Sequence, residues 1–87
     1  MSQARQQLMK QAIVESLAEA FQQFRVQLPQ NMDSQHQSLA HEVDLLIYEM
    51  KSVLNSGVEI SDQQIKKFVQ DKPNEFKNRS LFTKKGN

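Results

Sequence analysis

From Met9 onward, apolar residues return every three or four positions: Met9, Ile13, Leu17, Ala20, Phe24 and Leu28, with Val14, Ala18 and Phe21 beside them. That period predicts an amphipathic helix from about Gln3 to Gln27 with one buried face. The opposite face carries Gln6, Gln7, Lys10, Gln11, Glu15, Gln22 and Arg25. Ser2 is the expected N-cap. Pro29 ends the helix, because the residue before a proline is pushed out of the helical region. Residues 1–37 hold ten of the chain's thirteen glutamines. Such a bias alone suggests a prion-like tract. The regular apolar stripe favours a helix instead, and glutamine is a fair helix former.

Residues 29–34 read as a short connection, which favours antiparallel neighbours. A second helix starts near Asp33 or Ser34, where Ser34-Gln-His-Gln37 has capping-box spacing. It stops at Asn55-Ser56-Gly57, where glycine can take the left-handed conformation that closes a helix. A third helix has a stronger start: Ser61 to Gln64 form a capping box, flanked by Ile60 and Ile65 as a hydrophobic staple. Ile65, Phe68 and Val69 give it one apolar face. It ends by Asp71 or Lys72, and Pro73 opens another short helix through Glu75, Phe76 and Asn78. Leu81 and Phe82 dock on the core. The single domain covers residues 1–82, and Thr83 to Asn87 form a disordered basic tail. Val58–Ile60 is the only candidate extended link. The expected fold is all-α: an antiparallel helical hairpin with a short third helix and a C-terminal segment.

The second helix has apolar residues on two sides. Leu39, Val43, Leu46, Met50 and Val53 alternate steps of four and three, and Ala40, Ile47 and Leu54 broaden that seam. This side packs on the first helix. Leu45 and Tyr48 lie roughly opposite, since two residues turn a helix by about 200°. A helix apolar on two sides is usually buried on two sides. Either the third helix with the Phe76–Phe82 segment covers Leu45 and Tyr48, or a dimer or partner interface does. Tyrosine suits an interface because its ring is apolar and its hydroxyl can stay wet.

Size sharpens the second option. A chain of 87 residues buries only roughly 60% of its unfolded surface. Ordering costs about 1.5 kcal/mol per residue and nearly cancels the hydrophobic gain. There is no cysteine to staple the fold, and the only histidines are His36 and His41. Tight packing and oligomerisation remain, so a homodimeric helical bundle is expected. The absence of cysteine suits a reducing cytoplasm. The polar N-terminus lacks a signal-peptide core, and no run reaches the ~20 apolar residues of a membrane span.

Charge is divided unevenly. Residues 1–59 hold four cations against seven acids, a net −3, and residues 60–87 hold seven cations against three acids, a net +4. The basic segment, Ile60 to Lys85, also carries Phe68, Phe76 and Phe82. Cations for phosphates and aromatics for bases are the makings of a nucleic-acid contact. Its candidate residues are Lys66, Lys67, Lys72, Lys77, Arg79, Lys84 and Lys85. Three acids interrupt the segment, however, and Phe68 shares the apolar face of Ile65. A solvated basic face, or attraction to the acidic body of another subunit, answers the same pattern.

Catalytic chemistry finds little footing. His41-Glu42-Val43-Asp44 opens like a zinc-protease helix motif, but the second histidine would stand at position 45, which is Leu. Glu42 and Asp44 are two apart and do not face each other on a helix. Gly57 and Gly86 are the only glycines, so no phosphate-cradling loop exists. The sequence therefore predicts no catalytic, cofactor or metal site. It points to a small non-enzymatic interaction or regulatory module acting through helix surfaces. A nucleic-acid-binding regulator using residues 60–85 is the alternative.

Overall fold

The computed structural model describes residues 2–28 and 30–79, with side chains from residue 4. The expected Ser2 cap, Pro29, Leu81, Phe82 and the basic tail with Lys84 and Lys85 lie outside what is described. All described secondary structure is helical: α1 (Ser2–Gln27), α2 (Ser34–Ser56), α3 (Asp62–Lys66), a π turn (Lys67–Asp71) and α4 (Lys72–Arg79).

α1 and α2 form the antiparallel hairpin. Arg25 reaches Asp44 near one end, and Gln7 reaches Ile60 at the other. The third segment runs back along α2: Lys67 pairs with Glu49, and twelve residues later Arg79 pairs with Glu42. The core lies where the three meet. It contains Val14 and Ala18 of α1; Leu39, Val43, Leu46, Ile47 and Met50 of α2; and Ile60, Phe68 and Phe76 of the third limb. The Phe76 ring stands edge-on to Phe21, with centroids 5.9 Å apart.

The inner seam of α2 is buried as the apolar spacing indicates. α1 is rotated from its expected setting. Of the expected stripe, Leu28 is buried, but Met9, Ile13 and Ala20 are exposed, and the buried centre lies at the flanking Val14 and Ala18. Gln7 and Lys10, assigned to the outer face, lie on the contact side instead. The reason is the α2–α3 link. Its backbone has no regular structure and, among the described residues, no strand beside it, so polar side chains must satisfy it. Gln7 accepts from the Ile60 N–H at 2.8 Å and donates to the Ile60 carbonyl at 3.2 Å, while Lys10 donates to the same carbonyl at 3.0 Å. Lys10 also pairs with Asp62. One glutamine thus does the work of a strand partner and brings Ile60 into the core.

The helix ends also differ in detail. Asp33, not Ser34, caps α2 by accepting the His36 N–H, and Gln37 reaches back to the Met32 carbonyl. Aspartate is the stronger acceptor beside the positive end of a helix. Gly57 closes α2 at φ 76°, a conformation open to glycine without a Cβ penalty. The Ser61–Gln64 capping box forms in full.

At Pro73 the third limb runs on without a gap. A proline in a regular α-helix removes one hydrogen bond and clashes with the carbonyl four residues back. Here the π turn precedes it. The Lys72 N–H bonds the Lys67 carbonyl, five residues back, and Pro73 enters in the opening turn of α4, where it is tolerated. Val69 is 47% exposed rather than buried; the apolar contact passes through Phe68 to Phe76.

Phe68→Ala should cost about 3–5 kcal/mol in urea unfolding, because its ring is fully buried where the helices meet. Gln7→Ala should cost about 1–3 kcal/mol, because it strands the Ile60 N–H, while Lys10 still donates to the Ile60 carbonyl. Gln6→Ala should stay within about 0.5 kcal/mol. Equal effects at Gln6 and Gln7 would contradict the clamp.

Candidate functional site

The third limb approaches α2 from the side of Glu42, Leu46 and Glu49, and α1 from the side of Ile47 and Asp44. Neither reaches the outer face. Leu45 is 54% exposed and Tyr48 72% exposed. The third helix with the Phe76–Phe82 segment is one of the two candidates to cover these side chains; its described part, to Arg79, does not do so, and residues 80–82 lie outside what is described. The third limb follows the buried seam because Phe68 and Phe76 bury far more apolar area there than they could over Leu45.

Leu45 borders an open cleft of about 290 Å³ between α2 and the third limb, lined by Glu42, Leu45, Leu46, Glu49, Lys67 and Lys72. A larger groove of about 450 Å³ lies on the α1 side, between Gln22, Gln23, Arg25, Val26, Asp44 and Ile47. Val26, at 79% exposed, adds apolar surface to it.

The charges around α2 are largely consumed within the chain. Lys67 donates to both oxygens of Glu49, at 3.0 and 2.9 Å. Arg79 donates to Glu42 at 2.6 Å and reaches Glu75 at 3.4 Å, and Lys72 pairs with Glu75. The Arg79 hydrogen bond holds the Glu42 carboxyl below its ordinary range, and the same bond raises the guanidinium. Asp33 is held low by the His36 backbone N–H.

This bears on the basic-segment candidates. Lys67, Lys72 and Arg79 face acids of their own chain rather than one common outward surface. Lys66 and Lys77 are exposed. Lys84 and Lys85 are outside the described residues. Among the described residues no group of three His, Cys, Asp or Glu side chains could hold a metal ion. His36 sits 3.0 Å from Asp33 at the α2 cap, while His41 is exposed on the outer face. No described helix is long and apolar enough to cross a membrane.

The sequence singled out Leu45 and Tyr48 but not the polar residues around them. Ser38, His41, Leu45, Tyr48, Ser52 and Asn55 are all exposed and step along α2 by three and four. The spacing was present in the chain. Four of the six are polar, so a search for apolar periodicity passes over them. No family model, curated protein or solved structure matches this chain.

Glu42 also carries a pH dependence. With its folded pKa depressed, the stability from its pairing is fully present above its ordinary value of about 4.5 and is lost as the pH falls through the folded value. Both partners are 34% exposed, so water screens the pair and the effect is modest. Arg79→Met should flatten the loss of unfolding midpoint below about pH 4.5. An acid slope identical to that of the unaltered chain would contradict this pairing.

Proposed function

We propose that this chain is a small, non-enzymatic protein-interaction or regulatory module, working in the cytoplasm, whose outer α2 face packs against a helix of another subunit or protein. A homodimeric bundle is the simplest assembly of that kind. The exposure of Leu45 and Tyr48 at the middle of a helical stripe without acid, lysine or arginine supports this reading most strongly. Exposed single apolar residues are ordinary. A leucine and a tyrosine one turn apart, with charged side chains held to either side, form an anchor pair of the sort found at interface centres. Catalysis draws no comparable support, since the clefts described above bring no nucleophile and base together among the described residues.

The intramolecular use of Lys67, Lys72 and Arg79 favours this reading over nucleic-acid binding. Phosphate contact would have to compete with ion pairs already formed, or rely on Lys66, Lys77 and the tail.

A photo-crosslinking residue at position 48 tests the proposal in cells that make the protein. A discrete covalent adduct is expected at 48 and none at 12, since Ala12 is exposed on α1, away from α2. No adduct at 48, together with DNA or RNA binding that falls steeply with salt, would overturn the proposal in favour of the basic segment.

A further inference from the structure

If the outer face of α2 is an interaction surface, as proposed above, its residues also name the occupant. The stripe Ser38, His41, Leu45, Tyr48, Ser52 and Asn55 follows steps of three, four, three, four and three. That is the seam spacing of two helices that pack side by side along their length. It runs about 25 Å along the helix at 1.5 Å per residue. It carries no acid, lysine or arginine, in a chain in which 24% of residues are charged. Charges begin at its flanks: Asp44 and Lys51 on one side, Glu42 and Glu49 on the other.

We propose that the occupant is α2 of a second copy of this chain, packed antiparallel about a two-fold axis between Leu45 and Tyr48. The stripe is symmetric about that point. In this arrangement Leu45 meets the partner's Tyr48, His41 meets the partner's Ser52, and Ser38 meets the partner's Asn55. Each leucine covers a tyrosine ring, and towards the ends a serine of one copy faces His41 or Asn55 of the other, so no two bulky side chains oppose each other there. A two-fold pair needs only one such surface, because each subunit offers the same patch to the other.

The flanking charges select the direction. In a parallel, in-register pair, Asp44 would lie beside the partner's Glu49, twice over; each already carries a cation of its own chain, Arg25 and Lys67, so this arrangement adds no attraction. In the antiparallel pair, equivalent flanks face each other, and Asp44 lies beside the partner's Lys51, again twice. Lys51 makes no ion pair among the described residues, so it is available for this contact. The antiparallel pair also brings Glu42 towards the partner's Glu49. Both already carry a cation of their own chain, Arg79 and Lys67. The contact has only two large apolar side chains per subunit, Leu45 and Tyr48, at its centre. The dimer is accordingly concentration-dependent.

The chain has no cysteine, so single-cysteine variants report the arrangement directly. Ser38→Cys and Asn55→Cys replace exposed residues near the two ends of the stripe. Under mild oxidation, an equimolar mixture should give the mixed disulfide dimer as the main product. Each variant alone should give at least tenfold less. Efficient disulfide formation by Ser38→Cys alone would mean a parallel pair and would overturn the proposal. So would a protein that stays monomeric at millimolar concentration. If that monomer is destabilised by Leu45→Glu, the stripe is buried within the monomer, and the interaction-face reading fails as well. If it is not, and the adduct at position 48 is with a different protein, the interaction face stands and only self-pairing fails.

Discussion

The arrangement of this chain depends on how much of α2 its neighbours can enclose. α2 carries apolar residues around more than half of its circumference. One long helix and one short limb can cover an arc of that surface but cannot close around it. Val43 and Met50 lie at the centre of the covered arc and have no exposed surface. Leu45 and Tyr48 lie beyond its edges. An 87-residue chain gains most by placing Phe68 and Phe76 where α1 and α2 already meet, since each ring then buries surface on two helices at once. Among the described residues the outer face stays uncovered, the consequence of a well-filled inner one.

Electrostatics reinforces that choice. The acidic body and basic end of the chain fold onto each other, Glu49 with Lys67 and Glu42 with Arg79, and a reverse pair, Lys10 of the body with Asp62 of the basic end, joins them as well. Individually such exposed pairs contribute little. Together they fix the direction in which the third limb returns along α2. They also leave the middle of the outer face free of charge. A charge asymmetry that suggests a nucleic-acid ligand in the sequence is thus partly an internal complementarity in the fold.

Much of this was legible from the residues. Hydrophobic spacing located α1 and α2 to within a residue or two, and the capping box at Ser61 and the glycine at position 57 marked real helix ends. The rotation of α1 was not legible. Nothing in apolar periodicity reveals that Gln7 serves the backbone of Ile60, a contact 53 residues away in sequence. The choice of Asp33 over Ser34 as cap turned on one residue of register, which spacing alone leaves open. The passage through Pro73 was hidden because a π turn has no sequence signature comparable to a capping box. Of the candidate interface, Leu45 and Tyr48 were visible as apolar residues out of phase. Their polar companions, Ser38, His41, Ser52 and Asn55, gained meaning only when the structure exposed all six along one line.

The central claim is that the outer face of α2 pairs with itself. Tyr48 is the only tyrosine in the chain, so its ring signals cannot be confused with any other. An isotope-filtered nuclear Overhauser experiment on a mixture of labelled and unlabelled copies addresses the claim most directly. The account predicts cross-peaks between the Tyr48 ring of one copy and the Leu45 methyl groups of the other, growing with concentration. A Tyr48 ring that contacts only residues of its own chain at every concentration would contradict it.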